Sequence, residues 1–418
     1  MRWTVYKFGG SVLRDAAGLR AMARQVAEGP RPLVVVVSAL ARTTSRLEGL
    51  AARVARHEPW LPEMEALARY HREVLAGLGK VPEQVEQRLE KLLGQLSALL
   101  KAGKAEALPA WTDRVVAYGE LLSAAVAGAY LRALTPEVQE VDIRNVLVTD
   151  NHFGAAAVDI DTSRKRAEKA FDGNHPLYLT QGFIAATADG TPTTLGREGS
   201  DYTAALLGSF LQAEKVVLWK DVPGVMNADP AIDPQARHLP AISYQEAAEM
   251  AFYGAKVIHP NTIKPLQNQH IPLEVRGLFH DPGQRTVIWD FEEMERRMPV
   301  FIRKERQILL SVFPRDYSFV LNTHLVRLSE LFREWGFRIG LIQISAISVS
   351  YCIDDPGERL MERVKRLQEE YEVYFNRGVE LLTFRHYRPE TVEEKLENLL
   401  VLLEQRTRLT VQYVVKRP

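Results

Sequence analysis

The sequence predicts an α/β protein, in which a layered domain on a largely parallel central sheet precedes smaller α+β modules. Three observations lead there. The run Leu33-Val34-Val35-Val36-Val37 is continuously apolar, as a strand covered by helices on both faces requires. Similar short runs alternate with stretches of helical periodicity up to about residue 298, the pattern of βαβ units. Beyond that point the order becomes βαββαβ, one compact α+β unit, and an abbreviated second unit follows. The predicted domains are therefore 1–298 and 299–418, the latter divided into about 307–375 and 376–418.

The elements follow in order. Residues 3–8 form a strand that runs into glycines, then a helix through Ala27. Pro32 precedes the second strand, which ends at Ser38. Thr43–Arg56, Leu61–Leu78 and Pro82–Lys101 are helical, separated by Pro59, Pro62, Gly79 and Pro82, and make a lobe on the sheet. Another helix spans about 110–134, and strands are expected near 139–148, 177–187, 215–219 and 272–276. In the C-terminal part come strand 307–313, helix 323–335, strands 338–344 and 346–352, helix 357–370 and strand 371–375. Strand 379–385, helix 391–396 and strands 399–404 and 409–415 complete the chain, with Phe301-Ile302 expected as an added edge strand.

Composition narrows the function classes. Lys+Arg and Asp+Glu balance at 53 each, so no basic surplus points to nucleic acid or an anionic membrane. The single cysteine, Cys352, excludes an internal disulfide framework and fits a reducing compartment. It lies in an apolar stretch, where it reads as a small buried hydrophobe. No apolar run approaches the roughly 20 residues of a membrane span. Charges from Arg2 to Arg24 interrupt any signal-peptide core. The expectation is a cytoplasmic protein.

The most informative stretch is Thr194-Leu195-Gly196-Arg197-Glu198-Gly199-Ser200-Asp201-Tyr202-Thr203. Two glycines, a cation, a hydroxyl and a carboxylate open a helix, where unpaired N–H groups and the dipole suit phosphates or carboxylates. Alone, an ordinary capped helix shows as much. A second cluster, Lys220-Asp221-Val222-Pro223-Gly224, follows the buried strand Val216-Val217-Leu218. Ligands of open α/β sheets bind at such carboxyl ends. Together with the opening Val5-Tyr6-Lys7-Phe8-Gly9-Gly10-Ser11, these segments resemble the aspartokinases of the amino-acid kinase superfamily, and the resemblance runs in order along almost the whole chain.

The resemblance implies ATP and Mg²⁺ as cofactors and transfer of the γ-phosphoryl group to the β-carboxylate of L-aspartate. A carboxylate with a pKa near ~4 is already ionised, so this nucleophile needs no general base. The protein must supply positioning and positive charge. By the resemblance, Lys7 reaches the transferring phosphoryl group while Gly9 and Gly10 admit backbone N–H groups, and Asp201 organises the centre. Ser38 and Ser200 lie near the substrate. Glu120, in Tyr118-Gly119-Glu120, pairs with the α-ammonium, and Arg197 takes the α-carboxylate. Lys220, Asp221, Gly224 and Lys256 border the nucleotide. No His or Cys spacing suggests a protein-caged metal. The C-terminal modules resemble ACT domains, which implies a small amino-acid effector and a homodimer or larger homo-oligomer. The expected effector site is the turn Ile339–Ser345, with Gly340, Leu341 and Ser345. Gly340 stands where lysine-sensitive relatives often have an acidic residue, which favours threonine or another neutral effector over lysine.

The chain also departs from the family pattern. Val12 replaces a second hydroxyl, Ala41-Arg42 and Glu198 stand where glycines are common, and Met226 and Ala231 replace tyrosine and arginine. Alternatives are a kinase for glutamate or acetylglutamate, and a catalytically silent amino-acid sensor.

Overall fold

The computed structural model describes residues 2–79, 82–104, 106–255, 258–281, 283–291, 298–316, 319–320 and 322–417. They form two compact units. The first comprises residues up to Val225 with His238–Ala248 and Val257–Glu292, and the second comprises Met226–Arg237, Glu249–Lys256 and Glu293–Pro418. Two segments of the predicted first domain, 226–237 and 249–256, thus pack with the C-terminal residues.

In chain order the elements begin β1 (Thr4–Phe8), α1 (Ala16–Ala27), β2 (Leu33–Val37), α2 (Thr43–Ala55), α3 (Leu61–Gly77), α4 (Glu83–Ala102) and α5 (Leu108–Leu134). Next come β3 (Val138–Val141), β4 (Val148–Thr149), α6 (Ile160–Ala170), β5 (Leu177–Gln181), β6 (Ile184–Thr187), β7 (Pro192–Thr194) and α7 (Gly199–Phe210). β8 (Lys215–Lys220), β9 (Val225–Met226), β10 (His238–Leu239), β11 (Ala241–Ser243), α8 (Tyr244–Tyr253), α9 (Pro260–Gln267), β12 (Leu273–Gly277) and β13 (Arg285–Trp289) follow.

The main sheet has the order β11-β13-β12-β8-β1-β2-β5-β3. Neighbouring strands are parallel except for β12 and β13. β1, β2 and β5 are buried at every residue, as strands with helices on both faces must be. Residues of α2–α5 join the core of this sheet through Leu47, Leu67, Leu93, Trp111 and Leu122, so the predicted helical lobe is part of one hydrophobic core.

Two expected strands are broken. The 139–148 stretch divides into β3, a 3₁₀ turn at Ile143–Asn145 and β4. Asp142 opens that turn by accepting the Arg144 N–H, ending the extended run. The 177–187 stretch splits at Gly182-Phe183, where Phe183 has φ +67°. β5 stays in the main sheet and β6 joins β4 and β7 in a small three-stranded one.

The second unit holds β14 (Val300–Pro314), α10 (Asn322–Glu334), β15 (Ile339–Ile344), β16 (Val349–Asp354), α11 (Leu360–Gln368), β17 (Tyr371–Arg385), α12 (Pro389–Leu396), β18 (Leu400–Arg406) and β19 (Thr410–Lys416). They make one antiparallel sheet ordered β15-β16-β14-β17-β19-β18. β14 and β17 run through both predicted modules, with a register shift between Lys304 and Gln307. Arg306 (φ +56°) and Gly378 (φ +68°) mark the seam. Phe301 and Ile302 are part of β14 and pair with Phe384 and Thr383 of β17, while the Phe301 N–H donates to the Asn227 carbonyl at 2.8 Å. α10 and α11 cover one half through Leu328, Phe332 and Val364, and α12 covers the other through Val392. Cys352 is fully buried and its thiol is pushed up to about 12 by burial, as a small apolar residue requires. Among the described residues no helix is long and apolar enough to cross a membrane.

Candidate active site

Lys7, Asp201 and Lys220 come together at the carboxyl ends of β1 and β8, with Ser38 and Ser200 by the neighbouring ends of β2 and β5. Lys7 is the penultimate residue of β1, and its register partner in β8 is Leu218. Beyond the strand ends, Gly9 N–H donates to the Trp219 carbonyl at 3.2 Å. Lys7 and Lys220 therefore emerge side by side. Between them lies Asp201 in the first turn of α7, its Oδ1 2.6 Å from Lys7 Nζ and its Oδ2 3.0 Å from Lys220 Nζ. Burial alone would raise the Asp201 carboxyl, but Lys220 and Lys7 hold it down at about 2. Burial works to lower Lys220, and Asp201 and Glu198 overcome it to raise the ammonium above its ordinary range. Within this buried triad two lysines face one aspartate, with Glu198 and Asp221 acting on Lys220 from farther off. Such a place attracts a phosphate.

Glycines let the loops close on each other here. A Cβ at Gly10 would collide with the Ala39 carbonyl oxygen, and one at Gly182 would fall 2.6 Å from the Ser200 Cβ. Ser200 is thereby held against the end of β5, and Gly182 N–H donates to the Val37 carbonyl beside Ser38 at 2.9 Å. The Ser38 carbonyl accepts a 2.6 Å bond from Ser123 Oγ on α5.

Glu120 is buried on α5. Its Oε1 accepts the Ala39 N–H at 3.3 Å, and its Oε2 has no protein partner. Burial pushes this carboxyl up to about 8, against the Ala39 bond and the charge of Lys7. A buried acceptor without a donor is costly unless a ligand supplies one. Arg197 is exposed in the loop before α7. Glu198 precedes the helix at φ +53°, a left-handed conformation in which glycine costs nothing.

In the loop after β8, Asp221 is exposed and its carbonyl meets His280 Nε2 at 3.0 Å. A Cβ at Gly224 would come 2.5 Å from His238 Nε2 and 2.7 Å from Thr286 Oγ1, so glycine is required by packing. Thr286 anchors the loop by accepting the Val225 N–H at 2.8 Å. Lys256 lies outside the described residues. In the second unit, the expected effector turn is largely strand, because Ile339–Ile344 is β15 and the turn begins at Ser345, whose N–H donates to Ser348 O at 2.8 Å. Gly340 sits where the β15–β16 register slips, and Leu341 is buried.

Sequence reasoning missed Thr43 and Phe183. Thr43 is 1% exposed, its Oγ1 has no protein partner, and its methyl would lie 3.5 Å from a Cβ at Gly119, beside Glu120. Its position at the start of α2, right after the second strand's loop, was the available signal. Phe183 signals itself only through its backbone, since a bulky residue at positive φ is an outlier.

The model of the amino acid kinase family matches residues 2–277. The chain is 33% identical over 358 residues to lysine-sensitive aspartokinase 3 of Escherichia coli (strain K12), covering 84% of this chain and 78% of that one. It is 35% identical over 297 residues to a chloroplastic bifunctional aspartokinase/homoserine dehydrogenase of Arabidopsis thaliana, covering 68% of this chain and 32% of the relative's length. The crystal structure of E. coli aspartokinase III in complex with aspartate and ADP superposes with a TM-score of 0.85 at 28% identity, covering 99% of this chain and 96% of that one. A buried lysine–aspartate–lysine centre at the carboxyl ends of a parallel sheet and these likenesses together place the chain in the amino acid kinase family and, within it, among the aspartokinases.

Proposed function

We propose that the chain transfers the γ-phosphoryl group of ATP to the β-carboxylate of L-aspartate, giving 4-phospho-L-aspartate, with residue roles as follows. Lys7 and Lys220 face the γ- and β-phosphate oxygens, and Asp201 holds both ammonium groups in place. The charge that grows on the transferring oxygens then meets fixed cations, which lowers the barrier without any rearrangement. Glu120 Oε2 receives the α-ammonium, Arg197 the α-carboxylate as a planar fork, and Thr43 and Ser38 flank the β-carboxylate. The observation that carries this reading is the unpartnered Glu120 oxygen beside the paired lysines. It adds a site for an amine to a site for phosphate. The E. coli relative was solved with aspartate and ADP, which supports the same assignment.

Mg²⁺ fits as an ion carried by the nucleotide. Among the described residues no group of three or more His, Cys, Asp or Glu could hold a metal, and both Asp201 oxygens are engaged by lysines. Phosphate oxygens and water would complete its shell, as is usual for this ion, and when bound it would neutralise phosphate charge.

An amino-acid effector on the second unit, assembly as a homodimer or larger, and a cytoplasmic setting belong to the same proposal. The ACT-like antiparallel sheet, its exposed apolar edge and the buried thiol support them. Hydroxylamine tests the central claim, since it traps an acyl phosphate as a hydroxamate. Folded protein with ATP and Mg²⁺ should give aspartate hydroxamate. Turnover of glutamate or acetylglutamate with none of aspartate would reassign the substrate, and turnover of none of them would favour a silent sensor.

A further inference from the structure

Asp113 is 1% exposed near the start of α5, in the first unit. Its Oδ2 accepts the Gly154 N–H and the Thr194 N–H, each at 2.9 Å, and its Oδ1 accepts the Thr194 hydroxyl at 2.8 Å. These donors belong to the two segments that frame the Arg197 loop. Thr194 ends β7, three residues before Arg197. Gly154 lies in the 150–157 loop, which Asp150 closes by accepting the Ala157 N–H at 2.9 Å, and Ala156 N–H donates to Thr194 O at 2.9 Å. Gly196, at φ +74°, leans on that loop so closely that a Cβ there would lie 3.2 Å from both Gly154 O and Ala155 Cβ. Arg197 therefore departs from a platform that a single carboxylate ties to α5.

The same helix carries Glu120. Seven residues are about two turns, so Asp113 and Glu120 share one face of α5. The distance from Glu120 to the Arg197 platform is set through Asp113. We propose that Asp113 is a positioning residue for the amino-acid subsite, fixing the Arg197 loop against the Glu120 helix so that an α-carboxylate and an α-ammonium on one carbon are read together. It acts through Arg197, touches no substrate, and rests on the reading of Arg197 and Glu120 given above. The three hydrogen bonds, rather than the charge, do the positioning. An asparagine amide oxygen can accept both N–H groups, and its NH₂ can donate to the Thr194 oxygen.

The experiment compares L-aspartate with β-alanine, which keeps the phosphorylated carboxylate and the amine but lacks the α-carboxylate. Asp113→Ala should raise the KM of aspartate about tenfold, with the KM of ATP changed less than about twofold, and Asp113→Asn should restore it. Turnover of β-alanine should not respond. In an Arg197→Ala background, Asp113→Ala should add less than about twofold, since residues acting as one unit are not additive. If Asp113→Ala does not yield folded protein, Thr194→Val, which removes one of the three bonds, should raise the aspartate KM about threefold with the same loss of effect in the Arg197→Ala background. An unchanged aspartate KM, equal effects on β-alanine, or full additivity would overturn the inference. A wild-type aspartate KM in Arg197→Ala alone would instead remove the reading on which it rests.

Discussion

Burial on α5 holds the Glu120 carboxyl at about 8, so at neutral pH most of it is protonated before substrate binds. An incoming α-ammonium favours the ionised form and must drive the proton off. Aspartate binding near pH 7 should therefore release close to one proton, and apparent affinity should rise from pH 6 to about 8 before levelling. Calorimetry in buffers of different ionisation heat measures that release, and Glu120→Gln should abolish it. A release that persists in the variant would assign the proton elsewhere. The same shift sets a stability window. The protonated form is favoured by folding, so Glu120's contribution is complete below its ordinary value of 4.5 and is lost as pH rises through about 8. Asp201 behaves oppositely: its contribution is present above the ordinary 3.8 and disappears as pH falls towards about 2. Arg197 and Lys7 should separate kinetically. Arg197→Ala should raise the KM of aspartate with ATP affinity little changed, whereas Lys7→Ala should lower kcat by about 10²-fold or more, because its charge matters most in the transition state. Equal modest effects of both on the aspartate KM would sink these roles.

At the scale of elements, long periodic segments were legible and short ones were not. The apolar β2 and the helices α1–α5 lie within a few residues of their expected bounds, because five consecutive buried side chains or several helical turns leave a strong pattern. β4, β7, β9, β10 and β11 have two or three residues each, too few for any pattern. The broken strands failed for a local reason, since Asp142 competes for the backbone and Phe183 adopts a conformation that no propensity foretells. The site was legible to the extent that its chemistry is charged and lies beside glycines. Lys7 and Asp201, both singled out in the sequence, form an ion pair, and Lys220 joins them. Thr43 and Asp113 escaped because a threonine or aspartate on a helix is ordinary until its partners are known. The glycines make a further prediction. Gly10→Ala drives a methyl into the Ala39 carbonyl, which is backbone and cannot rotate away. The β1 and β2 loops must part, and kcat/KM should fall at least about 10²-fold while the far-UV spectrum is retained. Near-normal activity would show that these loops need not approach so closely.

Over the whole molecule, β14 and β17 make the two C-terminal modules one sheet, so an event on β15 acts on a structure continuous with β18. β15 is a terminal strand of the sheet, with Ile342 at 42% and Ile344 at 55% exposed and Ile347, in the turn after it, at 39%, while Gln405 of β18 donates to the Ile342 carbonyl at 3.4 Å. An edge so apolar invites a second copy. Ile344→Lys should shift the protein to a smaller species in sedimentation, and an unchanged mass would move the interface elsewhere. The effector prediction lies on the same strand. A Cβ at Gly340 would be 3.8 Å from Lys304 Nζ, with the Leu381 methyl at 2.8 Å. The nearest charge to this position is thus positive. A lysine effector would find no carboxylate on residue 340 for its ε-ammonium, and an unpaired buried charge costs several kcal/mol. Threonine, with a hydroxyl in place of the ammonium, avoids that penalty. Titration of the intact protein with lysine, threonine and methionine should therefore show the strongest heat and inhibition for a neutral amino acid. The E. coli relative is named for its lysine sensitivity, so the opposite outcome is well defined. Tight lysine binding with no threonine response would mean that another carboxylate faces the ε-ammonium. Inhibition that survives Gly340→Asp and Ser345→Ala unchanged would move the effector off β15 and the turn after it.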